Sequence, residues 1–213
     1  MRRTLPAILC LLFAMAGCAG VKPPKEQPGP PGRVPSAIRA QGTVEFKRTI
    51  PISGRALVIA KSPASFRIEV FGPFGQTVAL LSSDGETTYL LTEKGLEEFK
   101  RGDAGVPYHL APEDITAILL GNPKAGSEVL SGAEVRRDEA GHIISVSKVS
   151  PGRDDLNVYL DDYRAVSGVL IPYIITIENG KRKIEISHKA VEVDPDVDDT
   201  VFKPSTSVLE EVK

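Results

Sequence analysis

Phe66-Arg67-Ile68-Glu69-Val70 switches between apolar and charged side chains at every step. Successive side chains of a strand point to opposite faces, so this period of two marks a half-buried strand, apolar inward and charged outward. The same texture extends in both directions along the chain. Val44 and Phe46 share a face within Thr43–Lys47, Ile184 and Ile186 flank Glu185, and Leu156, Val158 and Leu160 alternate with Asn157, Tyr159 and Asp161. Arg55–Lys61, Thr77–Ser82, Thr87–Thr92, Ile143–Val149 and Leu170–Glu178 are further strand candidates. Ser62-Pro63, Ser83-Asp84-Gly85, Ala140-Gly141 and Asn179-Gly180 separate them as turns, and Asn179-Gly180 between two apolar runs is the strongest hairpin signal.

One helix interrupts the pattern. Pro112-Glu113-Asp114 supplies the proline and acids of a first turn, and Gly121 followed by Pro123 ends the element. Ile115, Ile118 and Leu119 fall at helical spacing and form one apolar stripe. The helix stands between a block of about five strands and a second block of about four. Consecutive strands joined by short turns pair antiparallel, and a long curved antiparallel sheet must cover its apolar face. The fold class expected is therefore mainly β, of the α+β kind, with a helix laid across the sheet.

The N-terminus has a different logic. Arg2 and Arg3 precede an apolar run of about 13 residues ending at Gly17, shorter than the about 20 that a spanning helix requires. Met15-Ala16-Gly17-Cys18 resembles the lipobox of bacterial lipoproteins, in which a signal peptidase cuts before a cysteine that then carries diacylglycerol and an acyl group such as palmitate. On that resemblance residues 1–17 are a signal peptide and Cys18 is the lipidated first residue; a plain secretory signal is the other reading. Ala19 is not the Asp that retains enteric lipoproteins at the inner membrane, which points to a lipid-anchored protein on the periplasmic side of the outer membrane. Residues 18–36 include Pro23, Pro24, Pro28, Pro30, Pro31 and Pro35, with Gly20, Gly29 and Gly32 between them. Such a segment lacks donors for a helix or central strand and reads as a semi-rigid tether reaching roughly 50 Å at about 3.1 Å per residue. The folded domain then spans 37–204, and 205–213 form a tail.

Composition excludes several functions. The 213 residues carry a net charge of −2, without the dense basic surface that nucleic-acid phosphates demand. The two cysteines, Cys10 and Cys18, both precede the domain, which leaves it no disulfide, thiolate nucleophile or Cys-ligated metal. His109, His142 and His188 show no metal-ligand spacing, and no metal or other cofactor is expected beyond the lipid on Cys18. His188 follows Ile184 and Ile186 on an alternating face and reads as a hydrogen-bonded rim histidine. No Gly-x-Ser-x-Gly elbow, Ser-x-x-Lys signature or phosphate-cradling loop is present, so an enzyme is not expected. Two acidic clusters, Asp154-Asp155 with Asp161-Asp162 and Asp194 to Asp199, read as solvated turns; the second lacks the Gly and distal Glu of an EF-hand.

Gly54-Arg55-Ala56-Leu57, Ser62-Pro63 leading into Phe66–Val70, Phe71-Gly72-Pro73-Phe74-Gly75-Gln76, Ser83-Asp84-Gly85, and Leu170-Ile171-Pro172 through Ile184, Ile186, Val191 and Val193 to Phe202 together resemble the LolA and LolB family of bacterial lipoprotein carriers and receptors. The lipobox favours the LolB side. The resemblance implies an incomplete antiparallel β-barrel of about 11 strands with a helical lid. Its apolar interior would take acyl chains of lipoproteins or of a similar lipid, delivered by a periplasmic carrier protein. Candidate lining residues are Phe46, Leu57, Phe66, Ile68, Val70, Leu80, Ile115, Leu119, Ile184 and Ile186. Aromatic residues make up 6% of the chain and Trp is absent, so large fillers are scarce. LolB-like receptors typically read Gly-Pro-Leu-Gly where this chain has Gly72-Pro73-Phe74-Gly75. Phe74 therefore either protrudes to touch membrane or ligand, or folds back onto the barrel rim. The family's N-terminal helix has no counterpart after Pro35, and Val106–Gly121 is the whole expected lid. A non-catalytic structural or sensor lipoprotein that binds a protein partner is the alternative function.

Overall fold

A computed structural model of the protein describes residues 33–47, 52–103, 110–123, 130, 132–149 and 154–205. Six strands come first: β1 (Ala37–Lys47), β2 (Ile52–Lys61), β3 (Ser65–Phe71), β4 (Thr77–Asp84), β5 (Thr87–Thr92) and β6 (Gly95–Lys100). Helix α1 (Pro112–Leu119) follows, and then β7 (Glu134–Arg137), β8 (Ile143–Lys148), β9 (Leu156–Val166), β10 (Val169–Asn179) and β11 (Arg182–Val193). All eleven join one antiparallel sheet in the order β6-β5-β4-β3-β2-β1-β11-β10-β9-β8-β7. Each block is a meander, and the pairing of β1 with β11 stitches the two together. Among the described residues β6 and β7 are the edges, and the sheet is not closed.

Those two edge strands are absent from the sequence reading, which expected five strands and then four. Gly95–Lys100 reads GLEEFK and Glu134–Arg137 reads EVRR, and neither has a fully buried position. Charged, short edge strands have almost no apolar face and so leave no alternation to detect.

The alternating stretch in β3 also needs correction. It is a strand, but it is buried on both faces. Arg67 and Glu69 lie on one side of it with side chains about 10% and 8% exposed. Arg67 Nε donates to Glu69 Oε2 at 2.9 Å and its Nη1 to the Val201 carbonyl at 2.9 Å, while Thr77 Oγ1 donates to Glu69 Oε1 at 2.7 Å. A 3-10 turn, Asp199–Phe202, covers this side and buries Phe202 against Ile59 and Val197. The charges are inside because they satisfy one another and a backbone carbonyl.

The turns follow local chemistry with one shift of register. The β10–β11 hairpin forms, but Asn179 pairs with Arg182, which makes Gly180-Lys181 the two-residue loop. Asn179 instead ends β10, buried, with its Nδ2 donating to the Asp154 carbonyl. The β9–β10 connection is Ser167-Gly168, at φ 49° and 75°, the positive pair that a type I′ hairpin requires.

Candidate functional site

Helix α1 defines an inner face of the sheet. Pro112 sits in its first turn, and Asp114 Oδ2 accepts the Ala111 N–H at 3.1 Å. Glu113 pairs with Arg101, just past β6. At the other end, Gly121 N–H bonds the Ile118 carbonyl at 3.0 Å and Asn122 N–H the Ala117 carbonyl at 2.8 Å. These two bonds form a Schellman motif around Gly121 at φ 75°, as the Gly121 and Pro123 stop signal implies. The helix packs on β2 and β3, with Thr116 Oγ1 donating to the Ser65 carbonyl. A Cβ on Gly121 would come within 2.8 Å of Cδ of Pro172 on β10, so the helix end abuts the far half of the sheet.

Seven of the ten proposed lining residues meet in one cluster on this face: Phe66, Ile68, Val70, Ile115, Leu119, Ile184 and Ile186. Phe46 packs at its margin, half-buried. Leu57 and Leu80 do not belong to it. On β2 the inner positions are Ala56, Val58 and Ala60, and Leu57 packs outward with Ile59 and Phe202. On β4 the inner positions are Ala79 and Leu81, while Leu80 joins Leu91 on the other side. Both strands are apolar on both faces, so periodicity offered no basis for choosing between them.

The inner face is packed. Phe66, Ile118, Leu119, Ile171 and Ile175 have no exposed surface. Beside α1 a cleft of about 110 Å³ opens between Val34, Pro35, Pro63, Thr116, Ala117 and Leu120. Ligand pockets usually measure about 300–1,000 Å³, so this cleft holds no acyl chain as it stands.

Phe74 protrudes. Gly75 N–H bonds the Gly72 carbonyl at 3.1 Å, closing a turn with Pro73 and Phe74 at its centre. The Gln76 side chain accepts the Phe74 N–H at 3.1 Å. The Phe74 ring itself is 95% exposed, so the folded-back alternative does not hold.

The sequence reading missed a polar cluster. His188, expected on the rim with a hydrogen bond, is only 6% exposed, and among the described residues neither ring nitrogen has a hydrogen-bond partner. Burial lowers its pKa from 6.5 to about 4, which leaves it neutral at pH 7. Tyr173 meets it edge-on, with ring centroids 6.2 Å apart. The Arg164 guanidinium covers Tyr173 at 4.2 Å from the ring centroid, and Asp162 pairs with Arg164. The only available signal was His188 continuing the apolar Ile184 and Ile186 face.

The remaining sequence candidates are structural or undescribed. His142 stacks on Tyr163 and bonds Asp138. Burial pushes the Tyr163 hydroxyl up to about 12, and it donates to the Ile143 carbonyl. The second acidic cluster is not simply solvated. Asp194 accepts from Ser36 and Ala37 and pairs with Arg33, Asp198 accepts the Thr200 N–H, and Asp199 pairs with Lys61. Cys18, His109 and residues 205–213 apart from Ser205 lie outside the described residues, as do 106–109 of the expected lid. No described helix is long and apolar enough to cross a membrane.

No protein-family model matches the sequence, and no curated protein matches it. Solved structures do match its fold. A LolA superfamily protein from Nitrosomonas europaea aligns with TM-score 0.50 at 9% identity, covering 79% of this chain and 90% of its own. A Vibrio parahaemolyticus domain described as an outer membrane lipoprotein-sorting protein aligns with TM-score 0.52 at 11% identity, covering 82% and 92%. At such identities the likeness concerns backbone architecture: the chain has a LolA-like fold, which among the described residues is an open eleven-stranded antiparallel sheet with one short helix across its inner face.

Proposed function

We propose that this chain is a LolB-type lipoprotein of the bacterial envelope, anchored through a lipidated Cys18 and working at the outer membrane. Its inner face accepts acyl chains of lipoproteins or of a related lipid when α1 withdraws, and Phe74 makes the contact with membrane or incoming ligand. A periplasmic carrier would deliver the cargo, and no bond is made or broken. The observation that carries this reading is a wide apolar inner face covered, among the described residues, by a single eight-residue helix. A helix this short contributes little stability of its own, so its place depends on packing against the sheet, and the proposed opening is a loss of that packing alone. The LolA-like fold supports the same reading.

The test uses the Cys18→Ser chain, which removes the anchor lipid. The purified protein is denatured, extracted and assayed for acyl lipid by mass spectrometry. Stoichiometric fatty acyl species are expected. A clean extract from protein purified without detergent would favour the second reading, a structural or sensor lipoprotein that binds a protein partner. The complete packing of Phe66, Ile118 and Ile175 favours that second reading.

A further inference from the structure

The sheet forks at His188. β10 pairs with β11 only where Ile174–Asn179 faces Arg182–Ser187. Beyond that point Val169–Pro172 of β10 pairs only with β9, whereas Ala190–Val193 of β11 pairs only with β1. The β1–β11 register shifts at the same place, between Gln41 and Gly42, opposite His188. Gly42 is required there, because a Cβ would lie 2.0 Å from the Ser187 carbonyl oxygen. Bulges of this kind bend a strand and re-aim its side chains, and they gather beside functional sites. His188 and Tyr173 meet at the crotch of the fork, each two residues along its strand from a core residue, Ile186 and Ile175.

A buried imidazole with two unpartnered nitrogens is costly, because each nitrogen has given up its hydrogen bond to water without a replacement. Phe would fill the same space without that cost and would still pack edge-on against Tyr173. The neutral ring carries one N–H donor and one acceptor. The charges of the cluster, Arg164 and Asp162, already pair with each other. A buried carboxylate placed there would lack a counter-charge, whereas an uncharged carbonyl needs only a donor.

We propose that the fork between β10 and β11 is a hydrogen-bonding subsite for a neutral acyl carbonyl, ester or amide. His188 donates to the carbonyl oxygen, and Tyr173, backed by Arg164, forms the wall. The subsite rests on the acyl-chain reading above and adds its polar end: the chain lies along Ile186 and Ile175, and the linkage is held at the fork. This would set the depth at which a ligand seats and would discriminate acylated molecules from plain hydrocarbon.

The test titrates the full chain carrying Cys18→Ser with monolaurin, laurate and dodecane, following the 15N-labelled imidazole signals and the binding isotherms. Monolaurin is expected to shift the His188 ring signals and to bind at least tenfold tighter than laurate. In His188→Phe, monolaurin affinity should fall about tenfold while dodecane binding is unchanged, and thermal unfolding verifies that the variant folds. Monolaurin binding with the wild-type ring signals unmoved and His188→Phe unaffected would overturn the subsite and leave the acyl-chain reading standing. Laurate binding tighter than monolaurin would overturn the neutral-carbonyl assignment. Failure of all three probes to bind would remove the acyl-chain reading and the subsite with it.

Discussion

Replacing Phe74 separates membrane contact from folding. The ring is 95% exposed at the tip of the β3–β4 turn, and the turn's hydrogen bonds are backbone bonds plus one to the Gln76 side chain. Phe74→Glu should therefore change stability by no more than about 0.5 kcal/mol, the range for exposed positions. Moving a Phe side chain from water into an apolar phase is worth about 1.5–3 kcal/mol, so losing that insertion should weaken vesicle binding roughly 10- to 150-fold. The assay is sedimentation with phosphatidylcholine vesicles, using the Cys18→Ser chain so that no anchor contributes and zwitterionic lipid so that the new charge is not simply repelled. Phe74→Leu, which keeps an apolar tip, should retain most of the binding. Equal partitioning and equal lipid transfer by wild type and Phe74→Glu would refute a role for this residue at the membrane.

Three further perturbations test the fold around the site. Gly121→Ala forces an L side chain into left-handed backbone, costing about 1–2 kcal/mol, and drives a Cβ toward Pro172; thermal unfolding should fall by several degrees, and hydrogen exchange in α1 should quicken. Glu69→Ala leaves the buried Arg67 without its carboxylate and should cost about 3 kcal/mol in denaturant unfolding, whereas Arg67→Met with Glu69→Leu should cost far less. His188 binds its proton more readily unfolded, at 6.5, than folded, at about 4, so its stability contribution is complete above pH 6.5 and is lost as pH falls toward 4. The loss should reach about 3 kcal/mol and vanish in His188→Phe; the lowered carboxylates, including Asp84, Asp162 and Asp194, act only below their ordinary value of 3.8.

The sequence was most legible where one physical rule acted alone. Period-two alternation located four strands, apolar runs set between turn signals located five more, and proline, acids and glycine delimited α1, because these signals are local. It failed where tertiary packing decided the outcome. Leu57 and Leu80 sit on strands apolar on both faces, and only the 3-10 turn behind β2 and the β4–β5 contact tell which way they point. Arg67 and Glu69 looked like a solvent face until Thr77 on the next strand and the far-off Val201 supplied partners. His188 was the hardest case. Its burial depends on the fork between β10 and β11 and on the pairing of β11 with β1, which sets Gly42 opposite His188, and no local pattern encodes either.

The most direct measurement is photo-crosslinking of the Cys18→Ser chain with a diazirine-bearing fatty acyl ester, followed by peptide mapping. Acyl-chain binding on the inner face predicts labels on residues such as Phe66, Ile68, Ile118 and Ile186, and protection by excess monolaurin. Labels confined to Leu57, Ile59, Leu80 or Phe202 on the opposite face, or no saturable labelling at all, would contradict it.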